Sequence, residues 1–142
     1  MEDIINLLHS GGYSCVVQNG TEVRTFTRRG VADLYDLLQH DSVFMNGACV
    51  ADKVIGKAAA VLMILGGVKH VYTDIISQSA FDLFQRTKIE VDFVRIVPYI
   101  ENRDKSGWCP LEKLTFSAET PEEIFPLIRE FITSLKLKDN LS

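Results

Sequence analysis

Apolar positions along this chain recur at helical spacing in some stretches and at alternating spacing in others, and the switches mark its elements. Ile4, Ile5, Leu7 and Leu8 give one apolar side to a short helix over residues 2–10, stopped by Gly11-Gly12. Residues 13–17 and 21–27 are strand-like and flank Asn19-Gly20, the dipeptide of a type I′ hairpin turn. Val31, Leu34, Tyr35 and Leu38 predict a helix over 31–39, and 42–45 reads as a short strand. A longer helix is predicted over 51–65, capped by Gly66-Gly67, and its second half is apolar on every side. Such a helix is buried.

Strand-like 68–73, a helix over 78–87 with Ala80, Phe81 and Phe84 inward, and strand-like 90–99 follow. Strands alternating with helices imply crossover units and a parallel portion of sheet, to which the front hairpin adds antiparallel strands. The tail opens with Thr120-Pro121-Glu122-Glu123, a capping box with proline at the first helical position. A helix over about 121–136 follows, with Pro126 expected to kink it. The expectation is one α/β domain over residues 1–142.

Composition narrows the function classes. Apolar residues at 46% and charged residues at 24% are the mix of a folded globular chain. Fifteen Lys+Arg against nineteen Asp+Glu leave a net charge of -4, which disfavours nucleic acid as the main partner. Cys15, Cys49 and Cys109 are odd in number and widely spaced, which suits reduced thiols in a cytosolic protein. Met1-Glu2-Asp3 lacks the basic start of a signal peptide, and the longest apolar stretch, 58–68, is too short to span a bilayer. A soluble cytoplasmic protein without a membrane segment is expected, and a homo-oligomer is compatible with this composition.

Three segments carry candidate chemistry. Lys53 and Lys57 would share one face near a helix start, where mutual repulsion and the helix dipole both oppose them. A bound anion would reverse that balance, with Asp52 as a partial neutraliser. The plainer reading is two solvated lysines. Gly56-Lys57 is no phosphate loop, because Ala51 and Ala58 stand where Gly and Ser/Thr are required.

The second segment runs from Asn102-Arg103-Asp104 through Trp108-Cys109-Pro110 to Glu112. If Pro110 opens a helical turn, Cys109 caps it, where a thiolate is favoured, and Glu112 lies a turn away. Asn102, Arg103, Trp108 and Glu112 are then candidate ligand contacts; the plainer reading is a packed loop with an inert thiol. The third segment is the histidine set. His9, His40 and His70 fall in separate predicted elements and form no zinc motif. No Gly-x-Ser-x-Gly elbow and no dinucleotide fingerprint occurs either.

Two of these stretches, Val50-Ala51-Asp52-Lys53-Val54-Ile55-Gly56-Lys57-Ala58 before a Gly-Gly stop and Val97-Pro98-Tyr99-Ile100 leading to Cys109-Pro110-Leu111-Glu112, resemble a family of uncharacterised bacterial proteins. That family is grouped with the cytidine-deaminase-like fold, a three-layer α/β/α mixed sheet. Zinc deaminases carry His-x-Glu or Cys-x-Glu at the start of the buried helix and Pro-Cys-x-x-Cys at the start of the next. The resemblance puts Val50-Ala51-Asp52 at the first place and residues 73–79 at the second, neither with a zinc ligand. It implies the fold without the metal, no cofactor, and no hydrolytic deamination.

The reading is a metal-free deaminase-like domain binding a small anionic ligand, phosphorylated or nucleotide-like. Its pocket would lie between the start of the Asp52 helix, the 73–79 turn and the Trp108–Glu112 loop. The alternatives are an enzyme with Cys109 as nucleophile, Asp52 as acid/base and Lys57 as stabiliser, and a non-catalytic interaction subunit.

Overall fold

The front hairpin shows how local chemistry decides register. β1 (Cys15–Asn19) and β2 (Glu22–Phe26) pair antiparallel with Asn19 opposite Glu22, so the two-residue loop is Gly20-Thr21. Only Gly20 of that pair has positive φ, at 62°, the mark of a type II′ turn with glycine at its first central position. The turn thus sits one residue later than Asn19-Gly20 predicts. Asn19 is occupied elsewhere: its Nδ2 donates to the Phe44 carbonyl at 2.8 Å and the Asn46 carbonyl at 2.9 Å.

The computed structural model describes residues 1–28, 30–102 and 104–141. α1 (Glu2–Ser10) precedes the hairpin, and α2 (Ala32–His40) and α3 (Ser42–Met45) follow it. Then come β3 (Cys49–Ile55), α4 (Lys57–Gly66), β4 (His70–Ser77), α5 (Gln78–Gln85), β5 (Glu90–Val97), α6 (Pro110–Thr115) and α7 (Pro121–Leu141). The five strands form one sheet in the order β2-β1-β3-β4-β5. β1 runs antiparallel to both neighbours, and β3, β4 and β5 are parallel.

Three predicted elements change. Residues 42–45 form a helical turn rather than a strand, because Asp41 caps it by accepting the Phe44 N–H. The predicted helix over 51–65 divides into β3 and α4 at Gly56, whose extended backbone ends the strand. Ala51, Val54, Ile55 and Ala58 fit a helical stripe, and five or six residues cannot separate the two periods. Pairing with β1 and β4 on both sides decides for strand. β4 runs on to Ser77, so the predicted 73–79 turn is strand followed directly by α5.

α4 is the centre of the core: Ala58 to Met63 are all buried. It lies against the sheet and is flanked by α2, α5, α6 and α7. Gly67 ends it with φ of 78° in the left-handed region, as the Gly-Gly stop predicts. α7 begins at Pro121 with Thr120 accepting the Glu123 N–H at 3.2 Å, and continues through Pro126. Its Ile124, Ile128 and Ile132 complete this side of the core. Among the described residues, α1 is the one helix on the opposite side of the sheet, and its Ile4 and Leu8 pack on Val16 and Ala51. The expected three layers therefore thin to a single short helix there.

The three parallel strands bend together. The register pairs Asp52, Thr73 and Phe93, then Val54, Ile75 and Arg95, passing over Lys53, Asp74 and Val94. Phe93 packs on Phe81 of α5, and Ile55 and Ile76 lie in the helix-side core, while Asp74 reaches His9 of α1. Two successive residues in each strand, such as Val94 and Arg95, therefore face the α1 side. The Val54 N–H donates to Asp52 Oδ1 at 3.3 Å.

Candidate functional site

The carboxyl ends of the parallel strands hold two helix starts, α4 after β3 and α5 after β4. The start of α4 is filled from within the chain. Glu112 of α6 is 3% exposed, and its Oε1 accepts the Lys57 N–H at 3.0 Å while Oε2 accepts the Ile100 N–H at 2.9 Å. Ser77 Oγ, the cap of α5, lies 3.4 Å from Oε1. The carboxylate thus meets the positive end of the α4 dipole and a free helix donor at once. Gly56 makes room for it: a Cβ there would stand 3.0 Å from Glu112 Oε2 and 3.2 Å from Ile100 Cγ1.

This arrangement replaces the predicted anion site. Lys53 lies within β3, whereas Lys57 is the first residue of α4, so the two never share a helical face. Lys57 is 6% exposed, and its Nζ donates to the Phe116 carbonyl at 2.8 Å and to the Ala118 carbonyl. Burial pulls its pKa below the ordinary lysine value, against the nearby Glu112 charge. Val50-Ala51-Asp52 is likewise mid-strand rather than at a helix start.

Asp52 stands opposite Cys15 of β1. Burial pushes its carboxyl up to about 7, against the pull of the Val54 N–H and the Cys15 thiol. The Cys15 thiol is raised as well, by burial and then by Asp52 and Asp33. Cys109 caps α6 with Pro110 at the first helical position, as predicted, but makes no side-chain cap bond. Its N–H donates to the Ile100 carbonyl at 2.8 Å. Among the described residues no hydrogen bond or ion pair joins its thiol to Asp52 or Lys57.

The Trp108 ring stacks on Tyr99 with centroids 4.4 Å apart and meets Phe116 edge-on at 4.9 Å. Asn102 is engaged within its own turn, accepting the Ser106 N–H at 3.0 Å. Arg103 lies outside the described residues. His9 bonds Asp74 at 2.8 Å and His70 bonds Asp92 at 2.7 Å, on the α1 side of the sheet. Among the described residues no three His, Cys, Asp or Glu side chains converge as a metal-ligating group. No described helix is long and apolar enough to cross a membrane.

The concave surface lies beside the start of α5. An open groove of about 520 Å³ runs between Gln78, Ser79 and Asp82 on one side and Ile96, Val97 and Pro98 on the other, with Phe116 at its end. Beside it lies a recess of about 190 Å³ that shares Ser79 and Asp82 and adds Lys57, Arg86 and Glu119. Arg86 spends one donor on the Glu119 carbonyl at 3.1 Å, and Asp82 accepts Gln78 Nε2 at 2.8 Å. Of the predicted contacts among the described residues, Lys57 alone lines this surface. Ser79, Asp82 and Arg86 were legible as the polar side opposite Ala80 and Phe84, at helical spacing.

A family described as TM1506, a domain of unknown function (DUF1893), matches residues 3–132. The crystal structure of a DUF1893 family protein (TM1506) from Thermotoga maritima superposes with a TM-score of 0.83 at 23% identity. The match covers 91% of this chain and 87% of that one. No curated protein matches the chain.

Proposed function

The chain belongs to the TM1506 family, a domain of unknown function (DUF1893), and on that premise we propose that it is a metal-free member of the cytidine-deaminase-like grouping that binds a small ligand. In support of the grouping, β1 is reversed within a mixed five-strand sheet, and a buried helix and its successor spring from neighbouring parallel strands. At those two helix starts stand Gly56, Lys57 and Ala58, and Ser77, Gln78 and Ser79. None is a His or Cys donor, so the residues do not fit zinc.

The observation that carries the binding reading is that the groove and a polar recess share Ser79 and Asp82 in their walls. The apolar part, with the Phe116 ring and Pro98, suits a flat ring. The recess offers Arg86, whose fork has donors to spare for a phosphate or carboxylate. The ligand class is a nucleotide-like molecule with its ring in the groove and its anionic end at Arg86. The enzyme reading on Cys109 has no contact in its favour, since Asp52 faces Cys15 and Lys57 faces α6.

Calorimetric titration and thermal shift with nucleoside monophosphates and inorganic phosphate test this. A ligand bound only by the folded state raises the midpoint by mass action. Arg86→Ala is expected to remove the response to both compounds, and Phe116→Ala to weaken only the nucleotide. No response to either compound at millimolar concentration overturns the proposal.

A further inference from the structure

The two sheet edges differ in how they are guarded. β2 is five residues long, and its Arg24 is tied to Glu22 at 2.6 Å and Asp41 at 2.8 Å. β5 is an eight-residue edge with no lysine or proline inside it. Its Phe93 and Ile96 are each 37% exposed and Val94 is 72% exposed. Short length, proline and a covering element are among the usual protections of an edge, and among the described residues β5 has none of these; what it carries is charge, at Glu90, Asp92 and Arg95.

We propose that this edge pairs antiparallel with the β5 edge of a second copy of the chain, about a two-fold axis between Val94 and Arg95. Residues opposite each other in an antiparallel pair share a face. In a regular strand, consecutive residues face opposite ways, so a two-fold axis cannot pass between them. Here the shared bend puts Val94 and Arg95 on the same side, and the axis fits there. The register then sets Phe93 opposite the partner's Ile96 on the helix side, and Val94 opposite the partner's Arg95 on the α1 side.

Charge follows the same symmetry. Glu90 and Asp92 make one half of the strand acidic, and Arg95 makes the other half basic. Asp92 and the partner's Arg95 become diagonal neighbours on the α1 side, within reach of a long side chain. Because Ile96 also lines the groove, the partner's Phe93 adds an apolar wall to it. The pairing rests on the edge alone and stands whether or not the groove binds a nucleotide.

Sedimentation velocity of the full chain, from micromolar to near-millimolar concentration, tests the pairing. A concentration-dependent dimer is expected. Arg95→Asp and Asp92→Arg are each expected to weaken it by about tenfold, since each disturbs two symmetry-related pairs of a few tenths of a kcal/mol to about 1 kcal/mol. The double variant Asp92→Arg/Arg95→Asp is expected to restore the parent value, and circular dichroism to show the same fold throughout. A monomer at every concentration overturns the proposal. So does a dimer that ignores both charge reversals, or one that responds to Arg24→Asp on the opposite edge.

Discussion

The starts of α4 and α5 are neighbours at the same end of the sheet, yet they are finished in opposite ways. α4 has no side-chain cap of its own from Gly56, and receives the Glu112 carboxylate from an element far along the chain. α5 caps itself, with Ser77 Oγ accepting the Ala80 N–H at 3.2 Å, and opens on the groove. Both present the positive end of a dipole. Only the one left facing solvent has room for a foreign molecule, so a helix start marks a ligand site only once its internal partners are known.

The largest expected effect breaks the filled side. Glu112→Ala leaves the buried N–H of Lys57 and the half-buried N–H of Ile100 without their acceptor and should cost about 3 kcal/mol in urea unfolding. Glu112→Gln keeps one acceptor oxygen and should cost clearly less.

Next comes pH. A folded Asp52 at about 7, against about 3.9 in the unfolded chain, means that the folded state holds the extra proton between those values. Its contribution is therefore largest in acid, falls as pH rises through that window, and is flat above it. Asp52→Asn should remove a loss of about 1–3 kcal/mol between pH 5 and pH 8. A parent and variant with parallel pH profiles would refute this account of the Asp52–Cys15 pair.

Gly56→Ala should cost about 1–2 kcal/mol, by crowding Glu112 and Ile100 rather than by backbone strain. Its backbone, at φ -96°, is one that any residue adopts. Smallest is Arg86→Ala without ligand. Its cost should stay within about 0.5 kcal/mol, because its bond to the Glu119 carbonyl is exposed. A large loss there would make Arg86 a structural residue and leave the groove without its anion donor.

What was legible in the sequence was local. The hairpin, the all-round apolar α4 and the Thr120-Pro121 helix start are written in adjacent residues. The boundary at Gly56 was not, because Ala51, Val54, Ile55 and Ala58 satisfy a helical period while β1 and β4 hold the first part as strand. The roles of Glu112 and Asp52 were hidden for a different reason. Lys57 and Glu112 are 55 residues apart, and Asp52 meets Cys15 across a strand pair. No periodicity reports such contacts. The polar side of α5, by contrast, is written locally as Ser79, Asp82 and Arg86, at helical spacing opposite Ala80 and Phe84.

The Glu112 cradle also sets a time order. Its three donors come from the start of α4, the end of β4 and the segment after β5. They are assembled only when both crossover units have closed, so the carboxylate is expected to dock late in folding. Interactions absent from the transition state act on unfolding alone. Stopped-flow measurements on Glu112→Gln should therefore show a folding rate close to the parent's and a faster unfolding rate. That outcome would make the buried glutamate a latch in kinetic terms, one that governs how long the native state lasts rather than how quickly it forms.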